Sequence, residues 1–149
     1  MTAEVTLRPA GLEDARLLLE WRNDPVTRSA SHNGAPVGRA EHEAWLARSL
    51  ADPGRRLYVA ETAGEPVGTV RADRDGEAWE LSWTVAPGAR GRGLGTAMVV
   101  ALARLLDGPV RAEVKAGNRS SARIAEAAGM VLVRTVDGVE HYAGMAGRG

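Results

Sequence analysis

The chain has no cysteine and no phenylalanine, and aromatic residues make up only 4% of its 149 residues. Without cysteine there is no disulfide, no thiolate metal site and no cysteine nucleophile. Only three histidines occur, His32, His42 and His141, and no HExxH-type spacing relates them, so no metal centre is expected. Charge of one sign is also missing: 19 basic and 19 acidic residues cancel. A general nucleic-acid or anionic-membrane binder is therefore not expected. The longest apolar run, 97–106, is interrupted by Arg104 and is too short to span a bilayer. The first residues, Met1 to Glu4, lack the basic and apolar regions of a signal peptide, which makes a cytoplasmic protein the expectation. Lysine occurs only at Lys115 while arginine, alanine and glycine abound, the bias of a GC-rich bacterial genome.

What is present reads as one domain over 1–149, with no repeat, low-complexity tract or linker. Val5 and Leu7 begin a strand ended by Pro9. Leu12 to Trp21 follows helical spacing and stops at Asn23-Asp24-Pro25. Residues 26–38 are polar with Gly and Pro and read as a loop. A second helix spans Arg39 to Leu50. Strands follow at Arg56 to Thr62, Pro66 to Ala72 and Glu77 to Val85, joined by turns at Ala63-Gly64-Glu65 and Asp73 to Gly76. A helix runs from Gly93 to Leu106, a strand from Val110 to Lys115, and a helix from Arg119 to Ala127 with Gly129 as its C-cap. A closing hairpin, Met130 to Val136 and Val139 to Ala143, turns at Asp137-Gly138. The predicted order is β-α-α-β-β-β-α-β-α-β-β, an α+β chain.

The stretch Val85-Ala86-Pro87-Gly88-Ala89-Arg90-Gly91-Arg92-Gly93-Leu94-Gly95-Thr96 ends a strand, turns, and opens an apolar helix. Glycines let backbone approach a ligand closely, and a helix N-terminus presents unpaired N–H groups and positive dipole. With Arg90 and Arg92 beside it, this loop suits a diphosphate. Its GxGxG spacing is not the dinucleotide GxGxxG, it follows a three-strand meander rather than a first strand, and the Walker Lys-Ser/Thr is absent.

Arg90-Gly91-Arg92-Gly93-Leu94-Gly95, with Asn118, Ser121, Gly129 and Met130 further on, resembles the signatures of the GNAT superfamily of CoA-dependent N-acetyltransferases. The element order is similar over nearly the whole chain. The resemblance implies a mixed, mostly antiparallel twisted sheet with helices on both faces. It implies acetyl-CoA as cofactor, its pyrophosphate on the backbone of Gly91, Arg92, Gly93, Leu94, Gly95 and Thr96. Its pantetheine would lie between the strand ending at Val85 and the strand 110–115, held by Asn118 and Ser121. An N–H near Val85 would stabilise the oxyanion. The amine would attack directly, without an acyl-enzyme.

Proton transfer has three candidates. Glu80 is a base or a solvated strand carboxylate. Ser121 is an acid, or a residue that caps or binds cofactor. Tyr142 is an acid or a half-buried core aromatic, with His141 exposed on the opposite strand face. The family's usual general-acid tyrosine position is Ala125 here. For the acceptor, Trp21, Arg22, Asn23 and Arg28, then His42 and Trp45, are similar to a subgroup acting on nucleotide-linked amino sugars, the clearest being the acetyltransferase of pseudaminic acid synthesis. Trp21 and Trp45 can stack on a base or sugar, or pack helix against sheet. Arg22 and Arg28 can meet a diphosphate, or Arg22 can cap its helix. Trp79 and Trp83 share a strand face and read as core. The alternatives are a ribosomal-protein-type N-terminal acetyltransferase and a non-catalytic acyl-CoA-binding module. A small-molecule amine is the expected partner. The exposed last strand and the tail 145–149 suit a monomer or a homodimer.

Overall fold

A computed structural model describes residues 4–147; the first three residues and the end of the 145–149 tail lie outside the described residues. Seven strands form one sheet: β1 (Thr6–Pro9), β2 (Arg55–Thr62), β3 (Glu65–Asp75), β4 (Ala78–Val85), β5 (Gly108–Lys115), β6 (Val131–Val136) and β7 (Val139–Ala146). Their spatial order is β1-β2-β3-β4-β5-β7-β6. Every pairing is antiparallel except β4 with β5. The helices are α1 (Ala15–Asn23), α2 (Pro25–Ala30), α3 (Arg39–Ala51), α4 (Leu94–Ala103) and α5 (Arg119–Ala127), with single 3-10 turns before α1 and α4.

Neighbouring residues of β2 show how the helices are divided. Arg55 reaches Ser49 on α3, while Arg56 reaches the Leu105 carbonyl just past α4. Adjacent strand residues point to opposite faces, so α3 and α4 cover different sides of the sheet. Apolar side chains are buried on both sides: Leu18 of α1 with Leu46 of α3, and Met98, Val99 and Leu102 of α4. Truncating Leu102 to alanine there would cost about 2–5 kcal/mol.

Turn chemistry falls where the sequence predicts it. Ala63-Gly64 and Asp137-Gly138 both have two consecutive positive φ values, which suits the right-handed twist of tight hairpins. After α5, Gly129 donates to the Glu126 carbonyl and Met130 to the Ala125 carbonyl, a Schellman closure.

Four expectations are corrected. Part of the predicted loop 26–38 is a helix: Asp24 accepts hydrogen bonds from Val26 and Thr27, so the aspartate that ends α1 caps α2. The helix has no buried residue, so no apolar period marks it. β3 runs on through Asp75, because Arg74 lies over the Trp79 ring and Asp75 pairs with Arg111. The final strand is not a sheet edge, since β7 sits between β5 and β6. The edge at this end of the sheet is β6, with Val131, Leu132, Val133 and Val136 exposed, and residues 145–146 of the expected tail belong to β7. His141 is half-buried, its side chain 22% exposed.

Candidate active site

β4 and β5 pair only at Trp79 with Val110 and Glu80 with Arg111. Beyond that point β4 continues to Val85 and β5 to Lys115, so the strands part and a gap opens. Ala86 donates its N–H to the Val67 carbonyl on the β3 side. Alternation along the strand turns the backbone of Val85 to the open side, where another extended chain can pair with it.

A cavity of about 910 Å³ occupies this gap and extends to both ends of it. That is within the range of ligand sites, roughly 300–1,000 Å³. One end is the glycine loop. Gly91 and Gly93 have φ of +77° and +73°, and a Cβ on either would meet no atom within 4 Å. A side chain there would be strained and would project into open space. Gly93 caps α4 without any side-chain bond, so the first N–H groups of the helix face the cavity unassisted by protein. Gly95 serves packing instead. A Cβ there would stand 2.6 Å from Ile124 Cδ1, so the glycine permits close approach of α4 to α5.

The expected donor residues divide. Val85, Arg90, Gly91, Gly93, Leu94, Gly95, Thr96, Asn118 and Ser121 line the cavity, while Arg92 is exposed and does not. Arg90 is turned from the expected diphosphate role to a clasp. Its Nη2 donates to Asp24 Oδ2 at 2.6 Å and to Thr27 Oγ1 at 3.1 Å. The Arg90 guanidinium, followed by the backbone donors of α2, holds the Asp24 carboxyl below the usual range. The clasp ties the glycine loop to α2 and so joins the two ends of the cavity. Asn118 caps α5 by accepting from the Ser121 N–H at 3.2 Å, which leaves the two N–H bonds of its amide outside the cap. Ala125 is fully buried and lines no part of the cavity, so the missing tyrosine leaves no hole there. The nearby hydroxyls are those of Ser120 and Ser121.

The other end is built by α1, α2 and α3. Trp21, Arg22, His42 and Trp45 line it as expected; Asn23 and Arg28 do not. Instead they fold the chain between α2 and α3. Asn23 makes two bonds to the Val37 backbone, both 2.8 Å, and Arg28 donates to the Gly34 carbonyl at 3.1 Å. Arg22 joins them through the Asn33 carbonyl at 2.7 Å. Ser31, His32, Asn33 and Val37 of the segment so held wall the cavity. His42 is 4% exposed, packs 5.3 Å from the Trp45 ring, and is held below its ordinary pKa by burial and then by Arg22. Both causes favour the neutral imidazole. Arg71 lies 5.7 Å over Trp45.

Two of the expected acid–base residues are placed elsewhere. Tyr142 is 3% exposed, donates to Glu140 Oε1 at 3.1 Å and does not line the cavity. Burial, then the Glu140 contact, raises its pKa, so it is a core phenol. Glu80 lies on the strand face that carries Glu113 but falls where β4 and β5 are still paired, outside the cavity lining. Burial first, and the nearby Glu113 second, push its carboxyl up. Glu113 does line the cavity, and nothing in the sequence singles it out. His32 Nε2 stands 3.1 Å from its Oε1 and His141 Nδ1 3.9 Å from its Oε2. No local motif marks it: the signal is only that an odd-numbered residue of β5 shares a face with Glu80. Trp83, expected in the core, is half-buried and lines the cavity.

Comparison with known proteins bears on this arrangement. The family described as acetyltransferase (GNAT) domain matches residues 4–131. No curated protein matches the chain in sequence. Among solved structures, an aminoglycoside acetyltransferase in complex with acetyl-CoA and paromomycin superposes with a TM-score of 0.83 at 25% identity, covering 95% of this chain and 93% of the other. The spermidine N-acetyltransferase of Vibrio cholerae, with CoA and spermine, gives 0.83 at 18% identity over 96% of each chain. A ribosomal-protein alpha-N-acetyltransferase with CoA gives 0.80 at 14% identity, covering 97% of this chain and 95% of the other.

Proposed function

The chain belongs to the GNAT acetyltransferase family, and from that premise we propose that it moves an acetyl group directly onto the primary amine of a small molecule held against α1 and α3. Acetyl-CoA is the donor, and when bound it supplies an acetyl group on a thioester. The residues present fit it: Gly91 and Gly93 leave a cradle that any side chain would fill, before an uncapped helix start. The observation that carries the reading is the continuity of one cavity from that cradle, through the parted strands, to the α1–α3 wall. A donor and an acceptor can meet in it without leaving the protein.

The backbone of Val85, turned to the open side of β4, is placed to pair with an extended arm and to hold negative charge on a carbonyl oxygen. The amide N–H groups of Asn118 add donors along the same path. Glu113, on the cavity wall, takes the proton that an incoming ammonium must lose, directly or through one water. The nitrogen sheds a second proton as the amide forms, and Ser121 Oγ, on the α5 wall, relays a proton to the leaving thiolate as it takes that one up. Neither Tyr142 nor Glu80 is needed for these steps.

A small acceptor is favoured over a protein N-terminus because Arg22, Asn23 and Arg28 fix the 33–37 segment as part of the wall at the acceptor end. A nucleotide-linked amino sugar is one amine of this kind, with Trp21 and Trp45 on the wall to receive a ring. The test is to follow free thiol from acetyl-CoA with amino sugars, nucleotide amino sugars and peptides as acceptors. Turnover confined to the small amines supports the reading. Turnover confined to peptides overturns it in favour of the protein-directed alternative.

A further inference from the structure

The wall given by α1, α3 and β3 carries more positive than negative charge. Arg22, Arg48 and Arg71 line it, against Glu41. Little of that charge is answered within the protein. Arg22 spends Nη2 on a neutral carbonyl, that of Asn33, while its Nη1 is buried without a partner. Arg71 shares the one carboxylate of Asp73 with Arg55, at 3.1 Å and 2.7 Å. Arg48 is exposed and makes no ion pair among the described residues. Beside them, His42 is 4% exposed, lines the same cavity, and leaves Nδ1 buried without a partner. Buried polar atoms in folded proteins are nearly always paired, and of the three orphans among the described residues, Arg22 Nη1, His42 Nδ1 and Arg111 Nε, two belong to this wall, which marks it as a place where a ligand completes the bonding. An uncompensated guanidinium beside an imidazole with an unpaired ring nitrogen is the complement of an anion.

Resting on the acetyltransferase reading above, we infer that the acceptor amine also carries an anionic group, a carboxylate or a phosphate, and that Arg22 and His42 bind it. Trp45, which lines the cavity beside His42, adds apolar surface for the body of the same molecule. The wall then sorts acceptors by charge. It repels a polycation such as an aminoglycoside or a polyamine, and it sets the anion at one end so that the amine reaches Glu113.

Two matched pairs test the inference: tryptamine against tryptophan, which differ by a carboxylate, and glucosamine against glucosamine 1-phosphate, which differ by a phosphate. Binding of each to the CoA-loaded protein is measured by calorimetry, after acetyl-CoA binding itself has been measured. In at least one pair the anionic member should bind at least about tenfold more tightly, the ordinary worth of a charged hydrogen bond. Which pair shows it separates carboxylate from phosphate. Arg22→Gln should erase the difference and leave acetyl-CoA affinity unchanged. Arg48→Gln, at an exposed position that tolerates change, should shrink it even where Arg22→Gln does not fold. Equal binding within both pairs, binding by none of the four, or tighter binding of spermine or kanamycin overturns the inference while the acetyltransferase reading stands. Failure of acetyl-CoA to bind removes that reading first.

Discussion

At the glycine loop the cavity wall offers backbone: Gly91, Gly93 and the opening turn of α4 present N–H groups, and no atom stands within 4 Å of where a Cβ of either glycine would be. Across the gap the wall is side chains: Trp21, Arg22, His42 and Trp45 from two helices, Arg71 from β3 and Glu113 from β5. The first end can be specified by a short contiguous sequence, because a loop and a helix start are local. The second requires distant segments to arrive together. The ends are not independent, since Arg90 of the loop is paired with Asp24, which caps α2. A family that keeps one donor and varies its acceptor needs this division, with the shared part in the backbone and the variable part in side chains.

The largest test of the comparison breaks the backbone end. Gly93→Glu places a side chain at φ +73°, where a non-glycine residue is strained by about 1–2 kcal/mol, and points a carboxylate into the cradle. Acetyl-CoA affinity should fall at least about 100-fold, about 2.8 kcal/mol at 1.4 kcal/mol per tenfold, while the fold survives. Calorimetry with circular dichroism as control reads both. Unchanged affinity would show that the cradle is not the donor site.

The second test enters the side-chain end. Glu113→Gln keeps the shape of the wall and removes the carboxylate between His32 and His141. The turnover number at neutral pH should fall by about 100-fold or more, within the usual range for a lost general base. The KM for acetyl-CoA should stay as it was, because the shortest polar contact of Glu113 is to His32 of the acceptor wall and none is to the glycine loop. A fall in acetyl-CoA affinity instead would make the residue structural.

A third substitution asks whether the ends are coupled. Asp24→Asn removes the charge that Arg90 holds and weakens the cap of α2. The KM values for donor and acceptor should rise together, whereas a rise in only one would show that the clasp serves that end alone. The pair also has a pH signature. The Asp24 pKa is lowered in the folded state, so its contribution is complete above the unfolded carboxylate range and fades as pH falls through the folded value. Acid should therefore raise both KM values in the wild type more than in the variant.

Legibility in sequence follows the same division. The loop at 90–96, the turns Ala63-Gly64 and Asp137-Gly138, and the closure at Gly129 are local devices, and each lies where the residues indicate. α2 is hidden because it buries nothing and is held by a cap and a distant arginine. Asn23 and Arg28 look like ligand-binding residues because their polar groups do make specific bonds, but to the backbone of Val37 and Gly34. Glu113 gives no signal, because only the parting of β4 and β5 puts it on the cavity. A strand carboxylate in a sequence does not reveal which side of that parting it occupies, and Glu80 and Glu113 fall on different sides.

The smallest expected effect separates those two carboxylates. Glu80→Gln should change turnover only slightly, because Glu80 lies outside the cavity lining, whereas a loss as large as that of Glu113→Gln would move the proton-handling role back to Glu80. Its visible consequence should be in stability. Burial, then Glu113, raises the Glu80 pKa in the folded state above its unfolded value. The folded chain thus holds more protons than the unfolded one across that window, so stability is full below the unfolded carboxylate range and declines as pH rises through the folded value. Glutamine cannot ionise and removes the decline. Melting temperatures measured from about pH 4 to pH 8 should show the variant gaining on the wild type as pH rises. A variant that tracks the wild type across that range would mean that the charge of Glu80 is fully answered in the fold, by Arg111 at 3.9 Å.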